Sequence, residues 1–296
     1  MLCCFPALWG VSPTAAPGSA ILQLIEPKSK TQVLLVGSMH YNPTSINLAR
    51  AVVKEEGDAG RLRAVVIESC PTRWNATLKI QPTGSVLRWL CDNEMQAAAE
   101  AGEAYGLAVE LGDQTIEDTG SRATQLLALT VAEVITPWSG GWNRIGQDFS
   151  EAFKQVSSPG LSPRALLDPS LLLAAPLSLI RYPLSIGVKS PLLLLLIALA
   201  AYGVSTPLPT GLPTDTVFVD AIGPEEALQA VSLLGLELLF LGRVLLVGLL
   251  EERNYVLSRN IRRACLRAKP GGSVVAVLGM AHCNGVAMLL RDTRTL

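Results

Sequence analysis

The sequence predicts an α/β fold: a mixed, mainly parallel sheet with flanking helices and a hydrophobic helical lobe inserted between the halves of a repeated motif. Three observations predict it. Val33-Leu34-Leu35-Val36 and Val274-Val275-Ala276-Val277-Leu278 are apolar, β-branched-rich runs without polar alternation, the pattern of strands buried on both faces. Each run closes in Gly-x-x-His, as Gly37-Ser38-Met39-His40 and Gly279-Met280-Ala281-His282, and these hold both of the chain's histidines. Between them, segments at helical spacing alternate with further apolar runs, as parallel strands joined by crossovers require.

Taken in order, Ala20 to Glu26 and Thr31 to Val36 flank the polar Pro27-Lys28-Ser29-Lys30, so the first strand is expected to pair antiparallel with the second. Asn42-Pro43-Thr44-Ser45 supplies cap and breaker residues, and Ile46 to Glu56 reads as a helix that ends at Gly57. Arg63-Ala64-Val65-Val66-Ile67-Glu68 is the next buried strand, closed by a carboxylate. A helix is expected from about Ser85 to Gly106, with Glu94, Glu100 and Glu103 on a solvated face. Leu107 to Leu111 is a short strand, and Gly112-Asp113-Gln114 follows it. From Thr119 to Ile135 the pattern is helical until Pro137-Trp138-Ser139-Gly140-Gly141-Trp142 breaks it. That loop is either a lid with two exposed indoles or, the preferred reading, a helix connection whose tryptophans pack on the core.

The region 165–250 is expected to form a hydrophobic helical lobe or a membrane-associated hairpin. Leu171 to Ile180 and Pro191 to Val204 are apolar, Pro207 to Thr214 is a breaker-rich loop, and Glu225 to Lys269 reads as one long helix or two, with Gly235, Gly242 and Gly248 as bends. Leu184 to Val204 and Ser232 to Leu250 approach bilayer length, yet both carry charge, and Glu237 and Arg243 lie six apart rather than at ion-pair spacing. Membrane contact through 184–250 is therefore the expected partner surface, beside a homo-oligomeric contact.

Composition narrows the function. Charged residues are 17% of the chain and the net charge is -1, which gives no basic field for nucleic acid. Mean hydropathy is +0.37, raised by the middle region. Six cysteines form no C-x-x-C pair, so a reducing, intracellular compartment is expected. Residues 1–19 are expected to be a flexible or targeting segment, with 20–296 the folded domain. The start is uncharged and poor in acid, which suits a chloroplast transit peptide better than an arginine-bearing mitochondrial presequence.

The chemistry is expected at the strand ends. In a parallel sheet with crossovers, His40, Glu68, Asp113 and His282 fall on one rim. Two imidazoles and a carboxylate suit zinc, manganese, iron or cobalt, and leave positions open for water and substrate. Glu68 is expected to ligate such a divalent metal or to act as a general base. Arg73 either holds a substrate carboxylate or oxyanion with its planar fork or simply pairs with Glu68. Asp113 ranks below these, as a cap for the segment after it. A Cys–His nucleophile built on Cys70 or Cys283 is the rival, although adjacent His282 and Cys283 point apart on an extended chain.

Gly37-Ser38-Met39-His40, Val65 to Arg73, Leu111 to Ile116 with Thr119 and Arg122, Glu251-Glu252-Arg253-Asn254, and Val277 to Gly285 occur in the order that resembles the TraB/PrgY family. The resemblance spans nearly the whole chain outside the hydrophobic middle. Through the related TIKI proteins it implies a metal-dependent peptidase centred on His40, Glu68 and His282, with Arg73 nearby. The metal implied is manganese, cobalt or zinc, and the substrate a peptide or small molecule. The resemblance extends also to pheromone-shutdown proteins and to TraB-domain proteins of organelle membranes, which implies the alternative of a non-catalytic binding, regulatory or membrane-tethering protein. Many such chains continue into membrane helices after the second Gly-x-x-His, whereas here the apolar segments lie between the motif halves.

Overall fold

Alternating side chains of three central strands divide the core into two layers, and the sheet between those layers sets where every polar strand end emerges. The computed structural model describes residues 20–192, 195, 198–199, 224–268 and 270–294. Segment 1–19, the loop at 207–214 and much of the stretch 193–204 lie outside the described residues.

Strand β1 (Ile21–Ile25) turns back antiparallel onto β2 (Gln32–Ser38), the expected hairpin, whose turn is held by Glu26 accepting from Ser29. Helix α1 (Pro43–Asp58) starts at Asn42, whose side chain accepts from the Thr44 N–H, with Pro43 in the first turn where its missing donor costs nothing. Strand β3 (Leu62–Ile67) follows, then α2 (Pro71–Ile80), α3 (Val86–Leu90) and α4 (Glu94–Glu103). The single helix expected from Ser85 to Gly106 is thus two. Asn93 caps α4 by accepting from the Gln96 N–H, and its competing side chain restarts the helix three residues after α3 ends.

Strand β4 (Val109–Leu111) leads into α5 (Ile116–Ile135), a short 3₁₀ turn (Pro137–Ser139) and α6 (Gly141–Val156). Trp138 is 82% exposed and Trp142 48%, so the preferred core-packing reading of the two tryptophans does not hold. Packing at this corner is done instead by Gly141, where a Cβ would meet the Glu133 carbonyl oxygen at 2.6 Å.

After a single turn at Pro163–Leu166, α7 (Pro169–Lys189) runs unbroken through Arg181 and through Pro176 and Pro183. The prolines are two turns apart on the exposed side, where carbonyls deprived of a donor remain open to solvent. Helix α8 (Pro224–Arg243), a π-helical stretch (Val244–Glu251) and α9 (Glu252–Arg267) follow one another without a loop. Gly248 lies within the π stretch, where a Cβ would meet Leu126 Cδ1 at 2.9 Å, so the absent side chain lets the stretch approach α5. Strand β5 (Ser273–Gly279) and helix α10 (Met280–Arg291) complete the described fold.

The sheet order is β1-β2-β5-β3-β4, parallel except for β1. The last strand in sequence is therefore the middle strand in space. One layer joins Val33, Leu35, Val66, Val274, Ala276 and Leu278 to Leu257 and Ile261 of α9 and Val286 and Leu290 of α10. Residues of the opposite parity, including Leu34, Val36, Val65, Ile67, Val275 and Val277, meet α1 and α4. A period of two in strands buried on both faces gives this division directly.

A smaller apolar cluster of Leu126, Ala152 and Val247 knits α5 and α6 to the π stretch. Arg243, within the second bilayer-length stretch, is buried and paired with Glu133 at 2.6 Å and Asp148 at 2.6 Å, so the latter part of that stretch packs on protein. Among the described residues the helix long and apolar enough to cross a membrane is α7, which begins well before Leu184.

Glu251 closes the π stretch in an unfavourable setting. Burial, reinforced by the negative charges of Glu151, Glu252 and Asp148, raises its pKa from 4.5 to about 7. A carboxyl raised in the folded state is penalised wherever the unfolded chain has already ionised. The cost is absent below about pH 4.5, grows up to about pH 7 and is constant above. Glu251→Gln is therefore expected to stabilise the protein by about 1–3 kcal/mol at pH 8 and by nothing measurable at pH 4, read by urea unfolding at both pH values. Equal effects at the two pH values would contradict the assignment.

Candidate active site

Because β2, β5 and β3 are parallel neighbours, their carboxyl ends rise on one rim. Ser38 pairs with Gly279, and Ile67 with Val277. His40, two residues beyond β2, and Glu68, one beyond β3, flank Gly279 at the end of β5. A Cβ built on Gly279 would lie 3.3 Å from Glu68 Oε2, 3.3 Å from His40 Nε2 and 3.7 Å from His282 Cδ2. The three side chains thus surround one point that only glycine leaves clear. Gly279 has φ -58°, so it serves here by its missing side chain rather than by a special backbone conformation.

The two Gly-x-x-His motifs are not equivalent in space. Gly37 is still inside β2 and pairs with Leu278, and His40 precedes its helix. Gly279 ends β5, and His282 is the third residue of α10. The imidazoles reach the same point from different backbones.

Each imidazole is oriented by its Nδ1. That of His40 bonds Glu94 Oε1 at 2.5 Å, and the same carboxylate accepts the Tyr41 N–H at 3.1 Å and the Ser38 hydroxyl at 3.3 Å. That of His282 bonds Asn254 Oδ1 at 2.8 Å, while Asn254 Nδ2 donates to Gln155 Oε1 at 2.8 Å and so fixes which way the amide faces. Both partners are acceptors, which puts a proton on each Nδ1 and turns each Nε2 inward. His282 Nε2 lies 3.3 Å from Glu68 Oε1. The same oxygen also receives the Arg253 guanidinium at 2.5 Å, so a cation stands beside the imidazole–carboxylate contact.

Glu68 is held on both oxygens. Oε2 accepts the Gly279 N–H at 2.6 Å, and Oε1 accepts from Arg253 Nη2 at 2.5 Å. Burial would raise its pKa, but the charge and hydrogen bond of His282, then the charges of Arg253 and His40, hold it well below the usual carboxylate range. For His40, burial works to lower the pKa, and the hydrogen bond and charge of Glu94, with Glu68, overcome it and raise the value to about 9. His40 nonetheless keeps 38% of its side chain accessible, because it faces a cavity.

Arg73 does not pair with Glu68. It binds Asp113, which also receives Arg253 and the Gln114 N–H, so Asp113 caps the segment after β4 and anchors two guanidinium groups. Arg253 bridges Asp113 to Glu68 and links β4's end to β3's. Cys283 is buried, its Sγ turned toward the Gly279 carbonyl, and burial raises its pKa far above the ordinary thiol value. Cys70 is also buried and accepts a contact from Arg73 Nε at 3.4 Å. Neither thiol stands as a poised nucleophile.

No family model matches this chain. No curated protein is significantly similar to it either.

Glu94 is the residue that sequence reasoning misplaced. It was expected on a solvated face, but its side chain is 1% exposed, at the first turn of α4 pointing at His40. Arg253, Asn254 and Gln155 received no role from spacing, since their helices lie far along the chain. The signal was the run Glu251-Glu252-Arg253-Asn254, in which three ionic residues precede an amide just where a largely apolar stretch gives way to a polar helix.

A cavity of about 500 Å³ opens beside His40 and Glu68. His40, Glu68 and Arg73 line one part of it, and Tyr41, Tyr182 and Lys189 another. Among the described residues, no group of three or more His, Cys, Asp or Glu side chains stands arranged to hold a metal.

Proposed function

We propose that this protein is a metal-dependent hydrolase acting on a peptide or peptide-like substrate, with His40, His282 and Glu68 at its centre and Arg73 beside them. The observation that carries the reading is the pair of imidazoles whose Nδ1 atoms are anchored by Glu94 and Asn254, with His282 Nε2 3.3 Å from Glu68 and His40 Nε2 turned to the same point at Gly279. Outer partners of this kind are how metal-ligating histidines are held. The resemblance to TraB/PrgY proteins and to TIKI-type peptidases supports the same reading.

The donor set suits a divalent manganese, cobalt or zinc ion. His40 and His282 would hold it through Nε2 with Glu68 as the carboxylate, and when bound it would polarise a substrate carbonyl and acidify water. Arg253, which donates to Glu68 Oε1, would then hold that carboxylate in position. Glu68 would serve there either as a ligand or as the general base. Arg253 and Arg73, both fixed on Asp113, keep positive charge at the rim where an oxyanion would develop.

One observation favours a second reading, a binding, regulatory or tethering protein of an organelle membrane. Helix α7 is of bilayer length, and it exposes Leu173, Leu179 and Ile180. The test runs two assays on one preparation, metal content with amide hydrolysis, and flotation with lipid vesicles. About one equivalent of bound metal together with hydrolysis that a chelator abolishes is expected. Metal-free protein that floats with vesicles and cleaves no amide would instead establish the second reading.

A further inference from the structure

The cavity has a polar end that the centre does not use. Lys189, the last residue of α7, lines it, and its Nζ lies 3.4 Å from the Tyr41 hydroxyl and 6.0 Å from the centre of that ring. Tyr41 Oη in turn bonds Ser185 Oγ at 2.6 Å. Among the described residues no carboxylate stands within ion-pair distance of Lys189. Burial pulls its pKa down, and the opposing influences are Cys91 and then Glu94. A half-buried ammonium has three donors, and among the described residues the tyrosine takes one.

The position of this cation relative to the centre is fixed by adjacent residues. Tyr41 follows His40 and holds φ 60°, a left-handed conformation that bulky residues seldom adopt. Its N–H donates to Glu94, the carboxylate that also orients His40. Tyr182 stacks on His40 with ring centres 6.3 Å apart and meets Tyr41 edge-on at 5.8 Å. A wall of two aromatic rings therefore connects the cationic end to the imidazole. Arg73, the other cation on the cavity wall, is committed to Asp113.

We propose that Lys189, with the Tyr41 and Ser185 hydroxyls, forms a carboxylate-recognition subsite, so that the ligands of this cavity carry a free carboxylate close to the group placed at His40 and Glu68. One ammonium with two hydroxyls matches a monoanion. A phosphate dianion would find a single cation where it ordinarily takes more. The subsite deepens the hydrolase reading and rests on it for the word substrate, but its binding property can be measured without turnover.

The experiment is calorimetric titration of the full chain, metal-stripped and manganese-loaded, with acetylated tri-alanine as the free acid, as its C-terminal amide, and with inorganic phosphate. The free acid is expected to bind roughly tenfold more tightly than the amide, the size of one charge-assisted hydrogen bond. Lys189→Met should erase that difference while leaving amide binding unchanged. Lys189→Arg should restore part of it, and Tyr41→Phe should reduce it. Equal binding of acid and amide, an acid preference that survives Lys189→Met, tighter binding of phosphate than of the acid, or binding of neither peptide would each overturn the subsite. If the discrimination is present in stripped protein and no metal is ever taken up, the subsite stands and the hydrolase reading falls.

Discussion

His282→Ala is expected to abolish both metal uptake and amide hydrolysis, because it removes the Nε2 donor that lies 3.3 Å from Glu68. Purified variant and wild type would be compared by metal analysis and by initial rates at saturating manganese. Two companion variants separate roles. Asn254→Ala leaves the imidazole in place but frees its Nδ1, and should weaken metal affinity roughly 10- to 100-fold, the usual cost of losing an outer partner. Glu68→Gln keeps the shape of the side chain and removes its charge. If Glu68 ligates, metal and turnover are lost together. Retained metal with a rate loss of about 10² to 10⁴ would assign it as the base instead. Cys283→Ser should leave most activity, since that thiol is buried and turned toward a backbone carbonyl. A chelator without effect, combined with inactivation by a thiol reagent, would defeat the metal reading.

Arg253→Met is expected to be the most destabilising single change near the site. Arg253 is 14% exposed and lies between carboxylates that are 4% and 0% exposed. Removing it leaves Glu68 and Asp113 buried with part of their compensation gone, a situation that costs about 3–5 kcal/mol when one partner of a buried pair is deleted. Arg73 still neutralises Asp113, so most of the cost should fall on Glu68. Adding Glu68→Gln to Arg253→Met should then recover a good part of the loss, which urea titration of the two single variants and the double variant would measure. Arg253→Lys should fall between, because a single ammonium cannot reproduce a fork that spans two carboxylates. Wild-type stability in Arg253→Met would show that the bridge contributes nothing.

Much of this arrangement was legible because it depends on short-range patterns. Apolar runs without alternation marked β2, β3 and β5, and the polar residue after each run identified the rim. Asn42 and Pro43 marked the start of α1 within three residues. What could not be read depends on contacts across long separations. Glu94 has the charge and helical position of a surface residue, and only the packing of α4 beside the rim turns it inward. The partner of Arg73 was uncertain for the same reason. Glu68 is five residues away in sequence, but Asp113, forty residues on, is the carboxylate it meets. The tryptophans misled in the opposite sense. Their size suggested burial, whereas the corner they occupy closes through Gly141 on Glu133. Continuity through α7 was also hidden, since two internal prolines ordinarily argue for a break.

Of the five described strands, the middle one in space is the last in sequence. While a ribosome is still making residues before Ser273, β2 and β3 have no partner between them, and each carries one open edge of unpaired backbone groups. Gly279 and His282 arrive with that strand, so the same late event closes the sheet, completes both core layers and brings the second imidazole to the first. A nascent or prematurely terminated chain therefore has neither a finished core nor the centre that depends on it. Chains stopped before Ser273 would therefore present the inner edges of β2 and β3 to any factor that recognises unpaired strand edges.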